Sequence, residues 1–506
     1  MKYNFNIIKK AALGLLLASS MAGCDSVLDI TDESIIGGSS FWKPEEDVKS
    51  ATMGIYTYLR SCDRTLFTLG ELRAETAGPN SRGAGGGFEM YYRNTLTPAT
   101  TGANWHVFYQ LVNYANCVIN YGGKVKFEVE ANKNYYLAQA YISRAWAYFV
   151  MTRAWGALII RTEPVEGNAP DLIYKKRSPK EEVMALIKSD IDKAIELFGT
   201  HESSGAAASG RIFWNIPAAL ALKADAYLWS AKVLGGGEAD LRTALAATEE
   251  ITRKTADDYI ELTSDYAKIF DYNNKFNGEL LFCLNYQKNE AENNFYSDCW
   301  CHQGDVPLHI DEETDAILNP CNGQGIATPT PELRNAFDAD DTRKAGTLFE
   351  VYAIEEDGSR TYNTSIVLKG KGMVENGRRF YMSHVILYRY ADVILMRAEA
   401  KNALGMDPTE EINMIRERAY GDKFEDHKFT AGSKEYNDEV ILEERLKEFS
   451  FECKRWFDLV RFDKVFDKVP SLKDKKGQDY LKWFPISLET ISVEHLVEQN
   501  PGWSNN

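Results

Sequence analysis

The chain has 506 residues, with 74 acidic against 58 basic side chains and a formal charge of −16. An acidic surface repels phosphate backbones, and no stretch clusters Lys and Arg among stacking aromatics, so nucleic acid is excluded as a partner. The length could fill several ordinary domains, yet no Pro/Ser-rich linker or low-complexity tract divides it, which predicts one continuous body.

Residues 1–23 read as a leader rather than as part of the fold. Lys2, Lys9 and Lys10 make a basic start, Leu13 to Leu17 an apolar run too short to span a bilayer, and Ala22-Gly23 the small residues before a cut. The string Met21-Ala22-Gly23-Cys24 resembles a bacterial lipoprotein signal, with Met21 where Leu is commoner. The resemblance implies that Cys24 is lipidated and opens the mature chain, 24–506, a single domain. Two or three acyl chains, at about 0.8 kcal/mol per buried methylene, hold a protein firmly on a membrane. Losing three lysines with the leader moves the charge from −16 to about −19.

Helical periodicity dominates two groups of segments, about 47–262 and 384–462, on either side of a loop-rich insertion at about 273–379. In the first group, Ala138, Ile142, Ala145 and Phe149 form one stripe of a helix over 135–155, with Gly156 at its end. Ser178-Pro179 predicts a capped helix start, followed by Asp190, Ala194 and Leu197. Asn215 as N-cap and Pro217 in the first turn open a helix carrying Leu222, Ala226, Trp229 and Val233, stopped by Gly235-Gly236-Gly237. In the second group, Leu387, Ala391, Ile394 and Ala398 read as one stripe ending at Gly405, and Leu442, Leu446, Phe449, Cys453 and Phe457 as another. Paired helices with small residues at their crossings predict a mainly all-α fold of tetratricopeptide-like hairpin repeats.

Two loop clusters combine aromatic rings with amides, the chemistry that a neutral sugar asks for: flat apolar platforms ringed by hydrogen-bonding groups. The first, within 77–105, holds Arg82, Tyr91, Tyr92, Asn104 and Trp105 around Gly83 to Gly87. The second holds Asn294, Phe295, Tyr296 and Trp300. These nine residues are the expected ligand contacts, with Trp300 and Tyr296 foremost. Cys299, Cys301, His302 and Cys321 lack the ligand spacing of a zinc knuckle, so no metal is expected. A loop disulfide joining Cys321 to Cys299 or to Cys301 suits an exported protein better.

Several segments, in order, carry a family resemblance. Cys24 to Ile30, Arg144 to Phe149, Tyr388 to Ala400, Ile412 to Ala419, Glu444 to Arg461 and Gln499 to Trp503 resemble the SusD/RagB lipoproteins of the Bacteroidetes outer membrane, with Cys453 where those proteins usually have Gly. The resemblance implies a helical repeat fold with a more irregular ligand-binding part. It also implies cell-surface display, docking on a SusC-like TonB-dependent transporter, and capture of a nutrient, most often an oligosaccharide or polysaccharide. Peptide capture by the same lid mechanism is the alternative.

No enzyme is expected, and no cofactor. The chain has no His-Glu-x-x-His, Gly-x-Ser-x-Gly or P-loop. Glu444, Glu448 and Glu452, near Arg445, Arg455, Asp458 and Arg461, read as an ion ladder along one helix rather than as acid/base groups.

Overall fold

The computed structural model describes residues 41–504 apart from 82, 84, 168, 202, 203 and 208, and excludes the side chain of Asn294. The expected leader and Cys24 lie outside the described residues. Helices dominate because apolar stripes recur at helical spacing. They are α1 (Glu45–Ser61), α2 (Asp63–Gly70), α3 (His106–Cys117), α4 (Glu130–Trp155), α5 (Lys180–Phe198), α6 (Ile216–Val233) and α7 (Gly237–Arg253) in the first half. Short α8 (Asn294–Cys299) and α9 (Glu312–Leu318) lie in the middle, and α10 (Tyr390–Ala403), α11 (Thr409–Tyr420), α12 (Lys434–Phe449) and α13 (Arg455–Arg461) in the last part. Neighbours in sequence pack in pairs, α4 with α5, α6 with α7 and α10 with α11, while α7 also packs on α10 and joins the two groups.

The predicted stripes are core. Ala138, Ile142, Ala145 and Phe149 are all fully buried, as are Leu222, Ala226 and Trp229. The α6 start follows its sequence signals: the Asn215 side chain accepts the Ala218 N–H at 2.9 Å, and its amide donates to Leu281 O at 2.8 Å. Helix α4 begins at Glu130, a turn and a half before Tyr135, and ends at Gly156 with φ of 75°. Gly235 has φ of 77° and ends α6, but Gly237 then opens α7. Ser178 does not cap α5: its backbone pairs with Leu158 at 2.7 and 3.1 Å, and Pro179 stands at the N-cap.

The irregular middle is built from antiparallel pairs. These are β1 (Ala77–Gly78) with β3 (Thr328–Pro329), β2 (Leu280–Leu284) with β8 (Val385–Arg389), β4 (Leu348–Ile354) with β5 (Arg360–Val367), and β6 (Met373–Glu375) with β7 (Arg378–Phe380). Asn376-Gly377, at φ of 49° and 73°, turns the β6–β7 hairpin as that dipeptide does. Pairing of β2 with β8 corrects one expectation: Leu387 belongs to a strand, and helix α10 starts only at Tyr390. Val385-Ile386-Leu387 is a short apolar run that Leu280–Leu284 completes as a buried pair.

A second break separates α12 from α13. Phe451 and Cys453 sit at φ of 61° and 64°, so the expected single stripe from Leu442 to Phe457 is two helices joined by a left-handed turn. That backbone explains why a glycine is usual at position 453. The turn presses on α2 so closely that a Cβ on Gly70 would lie 1.9 Å from Cys453 O.

Candidate ligand-binding site

The two loop clusters singled out in the sequence do meet. Residues 323–327 run along 297–301, with Gln324 N on Ser297 O at 2.7 Å, Gly325 N on Trp300 O at 2.8 Å and Ile326 N on Asp298 O at 2.8 Å. The first cluster docks on the same segment. Strand β1 pairs with β3, the Tyr92 hydroxyl donates to Ile326 O, and Gly86 lies so close that a Cβ would come 2.8 Å from the Ile326 side chain.

What they build is a plug, which corrects the expected stacking shelf. Phe295 is 0 % exposed, Trp300 1 %, Tyr296 2 %, and Trp105 and Tyr91 4 % each, too little to offer a face to a sugar. Phe295 stacks on Phe67 with centroids 4.5 Å apart. Arg379 lies 3.9 Å over the Trp300 ring, whose Nε1–H donates to Leu318 O at 3.3 Å. Trp105 packs edge-on against Trp155, and the Tyr91 hydroxyl donates to Thr101 O. Tyr92 and Asn104 are half-buried, and the Asn104 carboxamide oxygen accepts the His106 N–H at 3.1 Å. Arg82 and the Asn294 side chain lie outside the described residues. At the rim of the plug, half-exposed Arg64 pairs with Asp298 at 3.0 Å. Burial pushes the Asp298 carboxyl up to about 6 against the pull of Arg64.

Rings with accessible faces occur elsewhere, along the crossing segment Ile212–Phe213. On one side is a groove of about 430 Å³ lined by Asn132, Tyr135, Tyr136, His201 and Phe213. On the other is one of about 350 Å³ lined by Tyr56, Arg60, Phe213, Asn285 and Gln287. Helix α1 supplies Met53, Tyr56 and Arg60, and the first turns of α4 supply Asn132, Tyr135 and Tyr136, both at spacings that share a helix face. The Tyr56 hydroxyl ties the two sides together: it donates to Gln139 Oε1 and accepts the Trp214 N–H at 3.0 Å, while its ring meets Phe213 edge-on at 4.9 Å. Gln139 in turn donates to Trp214 O at 2.9 Å. Tyr135 lies 4.7 Å from the His201 ring, and His201 Nε2 is 3.2 Å from Asn132 Oδ1. Burial pushes the Tyr135 phenol up to about 12, so it serves as a neutral donor and acceptor.

Half-buried rings held by buried partners, with amides and a guanidinium at the edges, suit a polyhydroxylated ligand. The sequence does not announce these grooves because their members come from four distant segments: α1, the start of α4, His201 with Phe213, and Asn285 with Gln287. The Tyr135-Tyr136 pair, just ahead of the α4 core stripe, was the one local signal.

The charged string of α12 and α13 lies elsewhere, inside the protein, and its expected ladder is corrected. Glu448 meets Arg389 at 2.6 Å and also Arg418, while Glu452 meets Lys369 at 2.6 Å. Glu444 pairs with Arg343 and Arg416 at 2.8 Å, Arg445 with Asp458 at 2.9 Å, and Arg455 with Glu75 at 2.5 Å. Nearly every partner comes from another element, because the helix breaks at Phe451 and the acidic side chains face inward. Burial alone would raise the Glu448 carboxyl, but Arg418, Arg389 and Arg343 hold it far below the usual range. Such permanently paired groups fix a fold and exchange no proton near neutrality.

A family model described as the SusD family matches residues 338–503, and one described as starch-binding and associating with the outer membrane matches 33–228. A solved SusD superfamily protein of Bacteroides vulgatus is 30% identical, with a TM-score of 0.81 over 92% of this chain and 100% of its own. This chain belongs to the SusD/RagB family. NanU of B. fragilis is 33% identical, with a TM-score of 0.84 over 94% of this chain and 100% of that one. SusD-like protein P38 of Formosa agariphila is 28% identical over 525 residues, covering 98% of this chain and 99% of its own. SusD proteins bind carbohydrate without catalysis and associate with the outer membrane. Among the described residues no helix is long and apolar enough to cross a membrane.

Proposed function

We propose that this SusD-like protein captures an extracellular oligosaccharide or polysaccharide at the cell surface and delivers it to a SusC-like TonB-dependent transporter, tethered by lipid on Cys24. The two grooves flanking Ile212–Phe213 are the binding surface. The observation that carries this reading is the set of accessible ring faces of Tyr135, Tyr136 and Phe213 beside Asn132 and Asn285, in a family that binds glycans. Stacking of C–H faces on these rings supplies affinity, and the edge amides and Arg60 select among hydroxyl patterns.

Isothermal titration of the purified protein against host, plant and microbial polysaccharides tests capture. Saturable binding of at least one glycan, weakened by Phe213→Ala, supports the reading. Binding that persists in Phe213→Ala and is lost in Arg64→Ala would move the site to the rim of the loop plug. Delivery is tested by co-purification of the transporter from outer membranes, and the tether by loss of acyl labelling in Cys24→Ala.

A further inference from the structure

The irregular middle contains a thiol pair that glycan capture does not use. Cys301 and Cys321 place their sulfurs 2.8 Å apart, well inside ordinary non-bonded contact. Their backbones are held together independently of the sulfurs. His302 and Asn322 form an antiparallel bridge, Gly323 N donates to Cys301 O at 3.0 Å, and the Asn322 side chain holds the main chain of Arg379 at 3.0 and 3.3 Å.

From this geometry we propose that Cys301 and Cys321 are an oxidisable pair that closes into a disulfide once the chain meets a disulfide-bearing oxidant. Of the two partners that the sequence allows Cys321, the structure selects Cys301. Cys299 is buried, and burial pushes its thiol up. Cys321 is the one half-exposed cysteine among the described residues. The Cys301 S–H donating to it, together with nearby Arg379, lowers its pKa and makes it the attacking sulfur. The Cys321 thiolate attacks one sulfur of the oxidant's disulfide and releases one thiol. Cys301 then loses its proton and attacks the Cys321 sulfur, releasing the second thiol. Two protein thiols are oxidised and one disulfide is reduced to two thiols.

The bond would close a loop that carries α9 and the almost fully exposed Leu308. The carbonyls of Ile317, Leu318 and Asn319, just before Cys321, receive the Arg379 and Trp300 donors. Closure therefore fastens the cap of the Trp300 plug by limiting how far this loop can open.

The test is differential alkylation of the full chain after incubation with oxidised glutathione. Thiols free in denaturant receive iodoacetamide, and those released by reductant receive N-ethylmaleimide. A protease specific for acidic residues separates the two cysteines at Asp305, Asp311, Glu312, Glu313 and Asp315, whereas no Lys or Arg lies between them. Maleimide on both Cys301 and Cys321, and a non-reduced fragment pair that persists in Cys299→Ser, supports the bond. Iodoacetamide on either cysteine in the wild-type chain overturns it. So does a fragment pair that survives in Cys301→Ser, which would assign the bond to Cys299.

Discussion

Arg389 Nε stands 2.9 Å from Glu452 Oε2, and both side chains are shut away from water. The same guanidinium also reaches Glu279 and Glu448 at 2.6 Å each, so strand β8, helix α12 and the start of β2 are tied at one point. Removing it strands buried carboxylates without a partner, which costs far more than losing a surface pair. Arg389→Met is expected to lower unfolding free energy in urea by about 3 to 5 kcal/mol. The exposed α7 pair Arg242–Glu238, at 2.6 Å, gives the control: Arg242→Met should change stability by no more than about 0.5 kcal/mol. Equal effects of the two substitutions would mean that the buried hub does not hold the fold.

Acid should unfold the protein through this hub and its neighbour. Burial would raise Glu452 and Glu399, but Arg389 and Lys369 bring Glu452 down to about 2, and Arg461 and Lys232 do the same for Glu399. A carboxyl depressed in the folded state contributes stability above its unfolded value of about 4.5, and that contribution disappears as pH falls toward 2. Urea midpoints measured from pH 6 to pH 2.5 should fall most steeply below 4.5, with Arg461→Met flattening part of the slope. A midpoint flat across this window would contradict the assignment.

Glu71 works in the opposite sense. Burial raises its carboxyl to about 7, against hydrogen bonds from Phe451 N at 2.9 Å and Thr76 Oγ1 at 2.7 Å, and its second oxygen has no hydrogen-bond partner among the described residues. A raised carboxyl contributes its full stability below about 4.5 and loses it as pH climbs through 7. Glu71→Gln should therefore gain on the order of 2 kcal/mol relative to wild type between pH 5 and pH 8. The readout is the thermal midpoint at both pH values, and an equal difference at each would rule out titration of Glu71.

Much of the helical frame was legible because its signals are local. Asn215 and Pro217 announce α6, and the alanine-bearing stripe of α4 is core, because caps and periodicity depend only on neighbours along the chain. Leu387 reads as helical because a run this short is compatible with either a strand or a helix, and its partner strand lies about a hundred residues earlier. Glu448 and Glu452 read as a ladder for a similar reason: four-residue spacing predicts contact only while the helix continues, and α12 ends at Phe449. The ring-and-amide loops were the hardest case. Trp300 and Tyr296 have the composition of a sugar platform, but whether a loop ring faces water is decided by what folds over it, here Arg379 and Gly370.

Gly370 shows how tightly that loop is packed. A Cβ there would stand 1.9 Å from Tyr296 Cγ, and the Tyr296 ring is itself fixed against Phe295 at 4.2 Å. Neither ring can retreat without opening the Phe67 stack, so Gly370→Ala should destabilise the protein by about 1 to 3 kcal/mol. Glycan affinity of the folded fraction should stay within two-fold of wild type, because the groove at Ile212–Phe213 is built by other segments. A selective loss of binding with unchanged stability would return Tyr296 to the ligand site.

The groove itself is tested at Tyr135. Its ring is held by His201 on one side and lines the open groove on the other, and its helix is anchored by the fully buried Gln139. Truncation removes a stacking face and one side-chain hydrogen bond to Gln139, which keeps its Tyr56 and Trp214 partners, so the fold should survive with little change. Tyr135→Ala is expected to weaken glycan binding by about ten-fold, equivalent to about 1.4 kcal/mol, in titration calorimetry. Tyr135→Phe should recover most of the affinity if stacking dominates. Failure of the phenylalanine to rescue would assign the contribution to the hydroxyl and require a ligand that hydrogen-bonds there instead of lying across the ring.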